Sequence, residues 1–124
     1  MSEIRAATVS NLAGTGPVTL TGQYAAKAWV YYNASTGTPT INDSENVSSL
    51  TDVTTGRVNV VFSTAMATAN YSVVGTSQNS SSDVVGMVGR STSSSSEFEV
   101  NTAQANGSLV DANRSSFVAH GDLA

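Results

Sequence analysis

The sequence predicts an all-β chain, an antiparallel β-sandwich or jelly-roll-like domain, on three observations. The first is composition: 16 Val stand against five Leu and two Ile, and Ser plus Thr number 35. That bias favours β-branched and turn-forming residues over helix formers. The second is a two-residue rhythm, clearest in residues 56–63, where Val58, Val60 and Phe62 recur between Arg57, Asn59 and Ser63 and only Val61 breaks the alternation. The third is punctuation, because short candidate strands are separated at even intervals by turns containing Gly, Ser and Asn. A chain of 124 residues has the length of one domain with a single modest core.

From the N-terminus, residues 4–10 alternate weakly, with Ile4 and Ala6 on one side and Arg5 and Ala7 on the other. They predict an edge strand, or an arm laid on a neighbouring subunit. Ala13-Gly14-Thr15-Gly16-Pro17 breaks this piece. It lacks the spacing and the Gly-Lys-Ser/Thr ending of a phosphate loop, so a plain turn is the preferred reading. Residues 18–20 follow as a short extended piece. The division expected is an N-terminal arm or attachment segment over 1–23 and a β-sandwich domain over 24–124.

In residues 24–33, Trp29 and Tyr31 fall on one strand face and Val30 and Tyr32 on the other. Trp29 and Tyr31 could form a platform that stacks a sugar ring or a base. The preferred reading is that they fill a small core, since their neighbours are apolar too. Residues 35–43 predict a turn around Gly37-Thr38-Pro39, with Thr40-Ile41 pairing at an edge. Residues 42–46, Asn-Asp-Ser-Glu-Asn, gather five oxygen-bearing side chains, as a site for a hard cation would. Without the spacing and glycine of an EF-hand, local turn capping is the preferred account.

Residues 47–53, 56–63 and 71–75 then predict a three-stranded antiparallel meander, with Thr54-Thr55-Gly56 as its first turn and the alanine-rich residues 64–70 as its connector. Residues 76–83 read as a polar loop and 84–90 as a fourth strand, in which Gly86 and Gly89 suggest a bulge. The serine-rich residues 91–96 suit a hairpin tip. In the strand at 97–100, Phe98 and Val100 point inward and Glu97 and Glu99 outward. A turn at 103–108 and a closing strand at 115–120 complete the series.

Several function classes find no support. The formal net charge is −4, with five Lys or Arg scattered along the chain, so no basic footprint for nucleic acid exists. There is no Cys, hence no disulfide staple and no thiolate metal site. No apolar run is long enough to cross a bilayer. Seven N-x-[ST] triplets occur, as expected in a chain this rich in Asn, Ser and Thr. Glu97 and Glu99 share a strand face at roughly 7 Å, a separation that inverting glycosidases use. They flank a serine-rich tip where water is expected, so a solvated face is preferred. His120 is the single histidine, and no G-x-S-x-G elbow accompanies it. The chain therefore reads as a binding or assembly protein rather than an enzyme, with no cofactor and no metal. The candidate ligand-binding residues lie in two polar loops: Gln78, Asn79, Ser80, Ser81 and Ser82 in the first, and Ser93, Ser94 and Ser95 in the second, within residues 91–96.

The order DSENVSSLTDVTTGRVNVVFSTAMATANYSVVG, preceded by KAWVYYN, resembles a repeated β-module of tail fibres and related virion appendages of bacteriophages, marine phages especially. The start MSEIRAATVSNLAGTGPVTLTG is similar to the short opening such proteins carry. The likeness runs to about Gly75 and is loose beyond it. Where the family often has Pro in the connector, this chain has Ala67. The resemblance implies a structural virion protein on the particle exterior, assembled as a homotrimer. It further implies contacts to other virion proteins through residues 1–23 and attachment to a host-surface glycan or protein. The alternatives are a capsid decoration protein that stabilises the shell and a glycan-cleaving enzyme built on Glu97 and Glu99.

Overall fold

The computed structural model describes residues 26–79, 83–84 and 87–124, which form nine strands in two antiparallel sheets and contain no helix. The strands are β1 (Ala26–Asn33), β2 (Thr40–Glu45), β3 (Val47–Thr54), β4 (Arg57–Phe62), β5 (Ser72–Asn79), β6 (Asp83–Val84), β7 (Met87–Ser93), β8 (Glu97–Ala103) and β9 (Arg114–His120). The first sheet has the order β2-β1-β9-β5-β6 and the second β3-β4-β8-β7. The two pack face to face as a β-sandwich. The expectations placed on residues 1–23, on Ser80–82 and on Gly86 lie outside the described residues.

Alternation along the strands decides which side chains enter the core. Ala28, Val30 and Tyr32 of β1, with Phe117 and Ala119 of β9, face Val58, Val60 and Phe62 of β4 and Phe98 and Val100 of β8, all buried. An aromatic spine ties the sheets together: Tyr32 stacks on Phe117 at 6.2 Å, Phe117 meets Phe98 at 6.5 Å, and Phe98 meets Phe62 at 5.6 Å. Tyr71 closes it edge-on to Phe62 at 5.5 Å and donates its hydroxyl to the Glu97 carbonyl at 2.8 Å. Each ring hides some 150–250 Å² and prefers these offset or tilted geometries.

The meander expected over 47–75 is replaced by a crossover. β3 and β4 do pair as a hairpin, but β5 leaves for the other sheet and pairs with β9. The partner of β4 is instead β8, more than thirty residues away in sequence. Local patterning reports that a segment is a strand, whereas its partner is chosen by which faces can be buried together. For the same reason the closing strand β9 sits between β1 and β5 rather than at an edge.

Other boundaries shift too. Residues 76–79, expected in a loop, continue β5. The single strand expected over 84–90 is two pieces in different sheets, β6 and β7, and β7 runs on through Ser93 into the expected serine loop. Thr40 and Ile41 pair at a sheet edge as expected, and the strand runs on: residues 42–45, assigned to a turn and an acidic cluster, complete the edge strand β2. Three glycine-turn expectations hold: Gly37 has φ 79° in the β1–β2 turn, Gly56 has φ 71° in the β3–β4 turn, and Gly107 has φ 84° in the turn after β8.

The chain changes sheets between β2 and β3 at Asn46, which has φ 54°. Its side chain holds the corner. Oδ1 accepts the Thr64 N–H at 2.7 Å, and Nδ2 donates to the Lys27 carbonyl at 3.0 Å and the Thr64 carbonyl at 3.1 Å. Asn is among the few side chains that tolerate this left-handed conformation.

Candidate functional site

The described residues of the two polar loops proposed from the sequence do not meet. Tyr71, just before β5, touches the start of β8, so the starts of both strands lie at one end of the sandwich. The serine tip between β7 and β8 is at that end, where Ser95 O accepts the Met66 N–H at 2.7 Å. Gln78 and Asn79 finish β5 at the other end, paired with the β9 start through Gln78 and Arg114. Six residue steps along the strand take the chain from Ser72 to Gln78, about 20 Å. Ser93 ends β7. Ser94 spends its hydroxyl on the turn itself, accepting the Ser96 and Glu97 N–H groups at 3.2 Å each. Those bonds make it a turn residue first.

The acidic residues also resolve into separate roles. In β2, Asp43 and Glu45 lie on the outer face while Ser44 points inward, and Asp43 Oδ1 accepts the Ser44 N–H at 2.9 Å. Alternation therefore prevents the five oxygens of residues 42–46 from converging on one ion. Among the described residues no group of three or more His, Cys, Asp or Glu side chains gathers. Glu99 departs from the solvated face expected for it: it is buried, and its Oε1 accepts Arg57 Nε at 2.8 Å and Nη2 at 2.5 Å. Arg57 and Glu99 face outward from adjacent strands, so the long guanidinium stem can lie over the carboxylate. Glu97 is only half-buried. His120 ends β9 opposite Ala26 and Ser72.

The surface with the strongest contact chemistry is the outward face of the five-stranded sheet. The strand registers lay it out in rows. One row, across β2, β1, β9 and β5, is Glu45, Trp29, Val118 and Val74. The next is Asp43, Tyr31, Ser116 and Thr76. At the far end Arg114 Nη1 donates to Gln78 Oε1 at 3.4 Å, which brings one of the loop candidates onto this same face. Trp29 is 36% exposed and Val74 58%, so the core role preferred for Trp29 and Tyr31 goes instead to Val30 and Tyr32. The alternation in β1 was legible, but both of its faces are apolar, so the pattern could not say which one the second sheet covers.

The face is thus an apolar stripe of Trp29, Val118 and Val74 beside a hydroxyl-bearing stripe of Tyr31, Ser116 and Thr76, with carboxylates along the β2 edge. Exposed aromatics flanked by polar groups can stack an apolar ring face while bonding its hydroxyls. Nothing in the sequence joined Trp29 to Val74 and Val118, because the three come from strands that meet only in the folded sheet. Compared with protein-family models, with curated proteins and with solved structures, the chain matches none.

Proposed function

We propose that this chain is a structural component of a bacteriophage particle, a module of a tail fibre or fibre-like appendage that attaches to a host-surface glycan. Attachment goes through the outward face of the five-stranded sheet. The phage assignment rests on the sequence resemblance, which runs from the N-terminal start to about Gly75. The observation that carries the contact role is the Trp29–Val118–Val74 row, exposed at Trp29 and Val74 and half-buried at Val118, on a sheet whose other face packs on the core. Contiguous exposed apolar surface rimmed by polar groups marks interaction sites. The proposal includes assembly as a homotrimer, with residues 1–23 engaging other virion proteins.

The test uses the purified chain on host cells and on host-surface polysaccharide. Retention by both is expected, with Trp29→Ala weakening polysaccharide binding about tenfold while circular dichroism stays unchanged. Wild-type protein that neither binds cells nor blocks phage adsorption would remove the attachment role. Cryo-microscopy of intact virions locates the chain, and copies on the head lattice alone would favour a shell-stabilising role. Light scattering checks assembly: a mass near the 12.7 kDa of one chain contradicts the trimer.

A further inference from the structure

We infer that Asn106 is a self-modifying site: the backbone nitrogen of Gly107 attacks its side-chain carboxamide, releases ammonia and leaves aspartate or isoaspartate in the turn after β8. The reaction needs no partner and is independent of the contact face. Asn106-Gly107 is the single Asn-Gly pair in the chain, and both residues are exposed. The attack closes a five-membered ring on the nitrogen of the residue that follows Asn, so a side chain on that residue crowds the ring. Gly107 has none, and a Cβ built there would meet nothing within 4 Å, which leaves the reacting atoms open to water. Elsewhere the next residue or the fold stands in the way. Val60 follows Asn59 and Thr102 follows Asn101, both β-branched and both inside paired strands. Asn46 precedes Val47, and its carboxamide is held by three hydrogen bonds.

Two hydrogen bonds act on this reaction in opposite directions. The Ser108 N–H donates to Asn106 Oδ1 at 2.9 Å. It polarises the carbonyl and meets the negative charge that this oxygen gains when the nitrogen adds. The Gly107 N–H donates to the Gln104 carbonyl at 2.8 Å, so the nitrogen keeps its proton and points away from Asn106 while the turn is closed. Attack therefore requires that bond to open. The turn is further closed by the Gln104 N–H on Ser108 O at 2.9 Å and by the Ala103–Leu109 bridge. Exposed tips of this kind open locally at small cost. In the opened turn the Gly107 amide loses its proton to hydroxide, and its nitrogen bonds to Asn106 Cγ. The Cγ–Nδ2 bond breaks, and Nδ2 takes a proton from water and leaves as ammonia, which restores the hydroxide. Water then opens the succinimide. Cleavage between Gly107 N and Asn106 Cγ gives aspartate, and cleavage between Gly107 N and the Asn106 main-chain carbonyl gives isoaspartate. Either product adds a carboxylate, and the second also adds a methylene to the backbone.

Incubation of the full chain at mildly alkaline pH, followed by peptide mass analysis and enzymatic methylation of isoaspartyl carboxylates, tests this. The peptide that carries residue 106 should gain the mass difference between OH and NH2, and part of the product should accept the methyl group. The rate should rise about tenfold per pH unit, as the deprotonated fraction of a weak acid does. The folded chain should react about tenfold more slowly than the same chain unfolded in guanidinium, because the Gln104 bond must open first. Asn106→Gln should abolish the gain at this position and leave the circular dichroism unchanged. Faster conversion at Asn46, Asn59 or Asn101 of the folded chain overturns the inference. So does a folded chain that keeps Asn106 intact while its unfolded form is consumed. Equal rates in the two states would show that the turn is no gate, and would overturn the mechanism on which the inference is built.

Discussion

Three buried polar groups set the energetics at the scale of single residues. Burial pushes the Tyr32 hydroxyl up to about 12, against the downward pull of its hydrogen bond with Ser115 and with a smaller push from the charge of Asp111. The folded state thus prefers the neutral phenol, and the unfolded chain ionises it near pH 10. The stability this contributes is complete below pH 10 and is lost as pH rises through about 12, to a limit of about 2–3 kcal/mol. Urea titrations should show an alkaline loss over that window that is missing in Tyr32→Phe. Arg57 and Glu99 form the second case. Arg57→Met would leave a buried carboxylate uncompensated and should cost about 1–3 kcal/mol, less than a fully buried pair because the arginine is 35% exposed. The third case runs the other way. The Oδ1 atoms of Asn59 and Asn101 are buried without a hydrogen-bond partner. Asn59→Val removes such an orphan and suits a strand better, so a gain of about 1 kcal/mol is expected in the urea midpoint.

Elements are joined at two positions where the backbone itself is demanding. At Asn46 the left-handed conformation and three hydrogen bonds coincide, so Gly and Ala variants separate the two contributions. Asn46→Gly loses only the side-chain bonds, whereas Asn46→Ala loses them and adds backbone strain. The Ala variant should therefore be less stable than the Gly variant by about 1 kcal/mol in thermal or urea unfolding. Gly56 shows the same logic with less latitude. Its φ is positive, and a Cβ there would lie 2.6 Å from the Thr102 carbonyl oxygen and 2.7 Å from the Val110 nitrogen. The first is a backbone atom of β8 and the second of the segment that leads from β8 to β9, and the Thr102 N–H donates to the Gly56 carbonyl at 2.8 Å. The turn is thus a hairpin tip and a packing contact at once.

For the molecule as a whole, long-range pairing means that the sheets stand or fall together. β4 pairs with β8, and β9 inserts between β1 and β5, so every sheet contains strands far apart in sequence. Phe98→Ala, which breaks the aromatic spine at its centre, should cost about 3–5 kcal/mol, whereas Trp29→Ala on the outer face should cost little. Matched melting curves of the two variants check this contrast. Comparable losses would mean that Trp29 is a core residue after all, and would undermine its assignment to a contact surface.

Sequence alone determined that this chain is all-β and where many of its strands and turns lie. Alternation at Val58, Val60 and Phe62 is a local property, and so is the need for glycine at positions 56 and 107. Which strands pair was decided only by tertiary structure. β5 pairs in the sheet opposite its sequence neighbour β4, where Val73 and the flanking Tyr71 pack against the core. The same holds for the site. Trp29 and Tyr31 were visible as an aromatic pair on one face, but whether that face meets the core or the solvent depends on where the second sheet lands. Glu99 and Arg57, 42 residues apart, became partners by the same route. Periodicity describes a strand from within; burial and pairing are relations between strands, and no stretch of chain carries them by itself.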